Sequence, residues 1–512
     1  MRVRSLFVTM ILALALSVMA TVVPVSAAAP DGTLTIGVHV TLVNRWLDPG
    51  ETEALITPFM VLYALHDGLV KPMPKNIMTP GLAESWSASK DGLTYDFVIR
   101  KNARFHNGDP VTAEDVKFTF ERYKGASAKI LKDHVKEIQT PAPNRVRFVL
   151  KEPWPDFMAF YGTSATGAGW IVPKKYVEKV GDDEFKKHPI GAGPYKFVSF
   201  RPGQELVLEA FPEYWRKAPT VKRLVMRSIS EETTRAVAVK TGEVDLAYLF
   251  TGPAAEELKR SPGVRIVAPL LYGMYWLDFV DQWDPKSPWH DKRVRLAASL
   301  AIDRKAINQS EMLGLGKLAS SNVPPEFDFS LKLEPPAFDP KRAKQLLTEA
   351  GYPNGFEAGD LTPLPPYTTL AESVGNMLQT LGIRTHVRSM ERAAFLTAWR
   401  EKKLKGLVLP ATGAAGNAAA RLEPFFTKGG FYAYGSLPEI DDLFARQAKE
   451  LDRKKREGYL HQIQKLVADN VLIAPIFQQA FIWGVGARVA EPAAGLIEGY
   501  PYVGPAEDLK LK

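Results

Sequence analysis

The chain has 512 residues, 46% of them hydrophobic, a formal net charge of +8 at pH 7 and no cysteine. That length allows two or more domains around large buried cores, and the missing thiols exclude disulfides, thiolate-held zinc or iron–sulfur sites and a cysteine nucleophile. The positive charge is scattered and interleaved with acids, so it argues against nucleic acid as a partner and only weakly for anionic ligands or an acidic membrane surface.

Arg2 and Arg4 precede an apolar run from Leu6 to Ala20, followed by Ser26-Ala27-Ala28-Ala29. A basic start, an apolar stretch and a small-residue exit predict a secretory signal peptide over 1–29, cleaved after Ala27 or Ala29. The run is short of the roughly 20 residues that span a bilayer. With no cysteine to carry a lipid anchor, the mature chain is expected free in the periplasm. Losing the two arginines takes the net charge from +8 to +6.

Leu34 to Val40 alternates and is β-branched, which predicts a strand. Pro58 to Leu69 reads as a helix with Pro58 near its first turn. A strand follows at Leu93–Ile99, after the turn pair Asp91-Gly92. Asn107-Gly108-Asp109-Pro110 is a turn, and Thr112-Ala-Glu-Asp115 is a capping box that opens a helix through Arg122. Arg145–Leu150, Gly193–Phe200 and Gln204–Ala210 are strands, the last two forming a hairpin across Arg201-Pro202-Gly203.

The second half is more helical. Helices are expected at Asp291–Ala301, Asp339–Ala350 with Pro340 at its first position and Gly351 beyond its end, Thr369–Leu381, Ile440–Ala448 and Lys455–Asn470. Short strands are expected at Ile383–Val387, Val471–Phe477 and Phe481–Val485. The basic run Arg453–Arg456, between Asp452 and Glu457, reads as a solvated helix face. Strands and helices alternate without an internal repeat, which predicts an α/β fold.

No catalytic motif emerges. Gly-x-Ser-x-Gly, a Walker-type loop and His-Glu-x-x-His are absent, and the eight histidines are dispersed singly. Gly191-Ala-Gly-Pro194 does not suit a phosphate cradle, because Pro194 lacks a donor and a strand follows it. Glu51 with Glu53, or Asp441 with Asp442, could pair for glycoside hydrolysis, but neighbouring carboxylates of this kind are usually solvated or capping. The aromatics are more informative. Tyr272-Gly-Met-Tyr275-Trp276, Phe425-Phe426, Phe431-Tyr432-Ala-Tyr434 and Phe481-Ile-Trp483 fall near turns, and such rings suit a binding cleft as well as a core.

Several separated motifs resemble one family. Pro80-Gly-Leu-Ala-Glu-Ser-Trp86, Asp91-Gly-Leu-Thr-Tyr95 and Phe105-His-Asn-Gly-Asp-Pro-Val-Thr-Ala-Glu-Asp-Val-Lys-Phe118 look like the signature region of the family 5 extracellular solute-binding proteins, the dipeptide, oligopeptide and nickel receptors of ABC importers. Pro189-Ile-Gly-Ala-Gly-Pro-Tyr195, Pro212-Glu-Tyr-Trp215, Asp291-Lys-Arg-Val-Arg295, Ala301-Ile-Asp-Arg304, Asp339-Pro-Lys-Arg-Ala-Lys344 and Ala350-Gly-Tyr352 continue the match in order, from about residue 34 almost to the C-terminus.

The resemblance implies a two-lobed periplasmic binding protein fold (type II, large peptide-receptor class) with an extra inserted subdomain. Lobe I would comprise 30–71, 191–276 and 485–512, the insertion 72–190, and lobe II 277–484. Hinge strands would cross near Tyr272–Asp278 and Gln478–Gly484. The implied activity is capture of a small peptide-like ligand by hinge closure and its delivery to permease subunits, by a monomer without cofactor, metal or catalysis. The alternatives are a non-peptide solute (an opine, a sugar derivative or a metal chelate) and, in another class, a secreted hydrolase with an aromatic cleft.

One departure bears on the ligand. Peptide-binding members carry an aspartate for the ligand's α-amino group where this chain reads Leu409-Pro-Ala-Thr-Gly-Ala-Ala-Gly-Asn417, so the acidic position falls at or near Ala414. An ammonium without a counter-ion is costly in a dry cleft. Arg421, or Arg400 beside Trp399, would grip a carboxylate instead, or Glu423 or Glu53 would replace the missing acid. The candidate ligand-binding residues are Tyr272, Tyr275, Trp276, Trp399, Arg400, Asn417, Arg421, Tyr432, Tyr434 and Trp483.

Overall fold

The structure, a computed structural model, describes residues 29–52, 57–74, 76–413, 416–500 and 504–512. Of the expected signal peptide over 1–29, residues 1–28 lie outside the described residues.

Two seven-stranded sheets organise the chain. The first has Asp31–Val38 at its centre, parallel to Val221–Ser228 on one side and to Leu246–Tyr248 on the other. Glu205–Ala210 and Tyr195–Arg201 extend it as the predicted hairpin. At the far edge Trp483–Val485 pairs with Leu246–Tyr248 and Arg265–Val267. The central strand is apolar on both faces near its end, as a strand covered on both sides must be.

The second sheet is built on Leu270–Phe279 and Ile473–Ala480, which pair antiparallel along their length. Leu407–Leu409, Phe356–Pro363 and Ile383–Val387 continue it, the last two as parallel neighbours. The chain therefore passes between the sheets twice, after Val267 and after Ala480. Both crossings come earlier than the expected lobe boundaries at 276/277 and 484/485. Mutual pairing of the two long strands draws Tyr272–Trp276 into the second sheet, while Trp483 belongs to the first.

Between the first helix and the hairpin, a four-stranded antiparallel sheet orders Ala83–Ala88, Thr94–Ile99, Arg145–Leu150 and Val135–Ala142. It has its own core, in which Phe97, Phe148, Phe157 and Tyr161 pack ring on ring. Helix Ala113–Arg122 covers it, and the Asp115 carboxylate accepts from the Thr112 backbone N–H at 2.8 Å, the reach-back of the predicted capping box.

Some elements differ from expectation. The first helix spans Phe59–Leu65, not Pro58–Leu69. Gly191 and Gly193 pack against its last carbonyls: a Cβ at Gly191 would lie 1.9 Å from the Leu65 oxygen. Those two glycines are thus needed for close packing. Helix Ala418–Phe426 is not legible as an element in the sequence, since Pro424 lies inside it. No helix among the described residues is long and apolar enough to cross a membrane.

Candidate functional site

A cavity of about 200 Å³ lies where the inserted segment meets the second sheet. Ser127, Phe160 and Ala165 form one wall. Opposite them are the strand residues Tyr275 and Gln479, helix Arg392–Arg400, helix Ala418–Phe426 and Tyr432.

The aromatic wall is a stack. Tyr432 lies 4.0 Å from the Trp399 ring at an interplanar angle of 26°, and Phe425 lies 5.4 Å from Tyr432 at 15°. On the other side, Tyr275 meets Tyr367 edge-on at 4.8 Å. Flat rings a few ångströms apart offer a large contact area with little rotamer entropy to lose.

Helix Arg392–Arg400 presents Arg392, Leu396 and Trp399 to the cavity. The spacings of four and three residues place them on one helical face. Arg392 is half-buried and donates to the carbonyl of Pro365. The sequence reading missed it; the Arg392–Leu396–Trp399 spacing was the available signal. Arg400 falls one position off that face. It is exposed and its guanidinium lies over the Phe431 ring, so it does not line the cavity.

Helix Ala418–Phe426 supplies Arg421 and Glu423. Asn417 caps it, accepting from the Ala420 N–H at 3.0 Å. Arg421 is 2% exposed. It donates to the carbonyls of Asn322 (3.1 Å), Thr412 (3.2 Å) and Tyr272 (3.3 Å). Burial pulls its pKa down to about 9, which still leaves it a cation at neutral pH. Glu423 is half-buried at the cavity wall. Burial, and then the nearby Asp156 carboxylate, push its pKa up.

Two donors are unsatisfied here. The Gln479 side chain accepts from the Tyr275 hydroxyl at 3.0 Å through Oε1, whereas its Nε2 is buried without a partner among the described residues. The Trp399 Nε1 is likewise buried without one. Buried polar atoms of this kind normally find a partner.

Of the ten candidate residues, Tyr275, Trp399, Arg421 and Tyr432 line the cavity. The other five besides Arg400 do not line it. Trp276 faces the opposite side of its strand from Tyr275 and packs edge-on under Phe425 at 5.2 Å. Tyr272 is wedged against Phe327 and Tyr500, and only its carbonyl reaches Arg421. The Tyr434 hydroxyl is occupied by the Leu404 N–H at 3.1 Å. Trp483 packs on Tyr248 in the first sheet, 4.4 Å between rings. Asn417 is committed to its cap and to Asp156. Glu53 and Ala414, the other positions weighed for the ligand's amine, lie outside the described residues.

Residues 78–433 match the profile of the bacterial extracellular solute-binding proteins, family 5, middle region. The chain belongs to this family. It is 28% identical over 427 residues to heme-binding protein A of Haemophilus influenzae, covering 76% of this chain and 77% of that one. It is 27% identical over 463 residues to the glutathione-binding protein GsiB of Pectobacterium atrosepticum, covering 86% and 87%. Among solved structures, the ABC transporter substrate-binding protein CtaP of Listeria monocytogenes superposes with a TM-score of 0.82 at 21% identity, over 94% of this chain and all of the other. The fold of this family 5 member is therefore the two-lobed one.

Proposed function

We propose that this chain is the periplasmic solute-binding component of an ABC importer, and that it holds a small zwitterionic, peptide-like solute between its lobes for delivery to the permease. Family membership carries the importer role. The ligand class rests on one observation: a small aromatic cavity with Glu423 on its wall and the cations Arg421 and Arg392 elsewhere on it. Glu423 is suited to a ligand ammonium, in place of an acid at the Ala414 position. Arg421, Arg392 and the free N–H groups of Gln479 and Trp399 are suited to a carboxylate.

A cavity of about 200 Å³ supports a ligand of amino-acid to dipeptide size. Hinge closure would act at the two crossings between the sheets. Export through the N-terminal signal would place the chain in the periplasm.

The test is calorimetric titration with a panel of dipeptides and their N-acetylated forms, followed by mass analysis of what is released. One equivalent should bind and leave unaltered, with acetylation weakening binding roughly 10–100-fold, the size of a lost hydrogen bond to a charged group. Equal affinity for the acetylated forms would remove Glu423 from the reading, and a hydrolysed product would overturn the receptor role.

A further inference from the structure

Asp156 stands at the start of the short helix Phe157–Tyr161 in the inserted segment, yet its side chain caps no N–H of that helix. The carboxylate crosses the seam to lobe II instead. Its Oδ1 accepts from Arg456 Nη2 and, at 2.6 Å, from Asn417 Nδ2. Both side chains of the ion pair are 6% exposed. Arg456 is oriented by Gln447, whose Oε1 accepts from its Nε at 3.0 Å, and by the Phe329 ring, 5.0 Å from its guanidinium. The rest of this seam is modest. Lys449 and Glu152 form an exposed pair at 3.5 Å, and Leu451 packs over Gly92.

Asn417 connects this pair to the cavity. Its Nδ2 binds Asp156, and its Oδ1 caps helix Ala418–Phe426, which carries Arg421 and Glu423. A carboxylate from one body thus sets the cap of the ligand-facing helix on another.

We infer that Asp156 is a positioning residue for solute capture: its crossing to Arg456 and Asn417 latches the insertion to lobe II and fixes the cavity helix in its ligand-ready place. The inference rests on the proposed hinge opening. Removing either ion from the closed seam strands the other in a buried site, which is far worse than never burying the pair. The latch therefore discriminates between closed and open arrangements, and a neutral residue at either end tips the balance toward opening.

The natural chain has no cysteine, so spin labels can be placed at will. Lys101→Cys in the insertion and Lys344→Cys in lobe II are both exposed positions. Pulsed electron-resonance distances between them are measured on ligand-free protein, with circular dichroism to verify folding. The otherwise unaltered chain should show short and long populations. Asp156→Asn should cut the short one at least about tenfold, and Arg456→Met, an independent variant from the other side, should do the same. A short population that both folded variants retain at the original level overturns the latch while the hinge stands. One unchanging distance in every protein overturns the latch and the hinge together. A distribution without any short population overturns the latch.

Discussion

Two buried carboxylate–cation pairs invite comparison. Asp67 and Lys71 lie 2.7 Å apart, with side chains 0% and 2% exposed. Asp156 and Arg456 are nearly as buried. The first pair is closed on itself within one lobe. The other Asp67 oxygen accepts from the Tyr214 hydroxyl at 2.8 Å and the Trp215 N–H at 2.6 Å, and Lys71 also donates to the Tyr214 oxygen at 2.9 Å. The second pair joins segments 300 residues apart that belong to different bodies. The chemistry is alike, but the first pair is part of a fixed frame and the second spans a seam. Burial of an ion pair says little about its role until the bodies that carry its partners are known.

Acid should act on the frame most strongly. His66 donates from Nε2 to the Leu47 carbonyl and His106 from Nε2 to the Gly193 carbonyl, each at 2.9 Å. Burial, the largest cause for each, lowers their pKa from the ordinary 6.5 to about 4 and about 3. Below pH 6.5 the unfolded chain takes protons that the folded one refuses. Stability is thus fully present above that pH and is lost as pH falls toward 4, by ~1.4 kcal/mol per unit for each histidine. Calorimetric melts from pH 7 to 4.5 measure this, and a flat midpoint would mean that the two rings are not held neutral.

Next in size, Lys71→Met strands the Asp67 carboxylate and should lower folding stability by about 3–5 kcal/mol. It should leave the labelled interlobe distances unchanged. Asp156→Asn should do the reverse, changing distances with little loss of stability, because its seam can open to water. A denaturant melt beside the resonance measurement checks both, and equal behaviour of the two variants would erase the contrast.

Smaller effects concern the cavity. Glu423→Gln should weaken a dipeptide with a free amine by about 1.5–3 kcal/mol and leave its N-acetylated form unaffected. Trp399→Phe keeps a ring on the Tyr432 stack but removes the buried N–H, and should cost about 0.5–1.5 kcal/mol of binding. Titration calorimetry reads both, and no loss in Trp399→Phe would show that the indole N–H does not meet the ligand.

The sequence by itself determined most of the local structure. Asp291, Asp339 and Asp452 cap their helices, Pro340 occupies a first turn, and Ile383–Val387 is a strand with the expected bounds. Caps, proline and alternation are short-range rules that act within a few residues. The order of separated motifs also carried the family. What the sequence could not decide was which rings face the solute. Tyr275 and Trp276 are adjacent and equally aromatic, but strand alternation sends them to opposite faces, and only sheet pairing selects the cavity face. Arg400 and Arg392 differ by about 80° around one helix, at 100° per residue, and the docking of that helix chose Arg392. Asp156 and Arg456 meet only because two separately cored parts of the fold pack against one another. Such contacts depend on how large surfaces pack, and no local pattern in the chain encodes that.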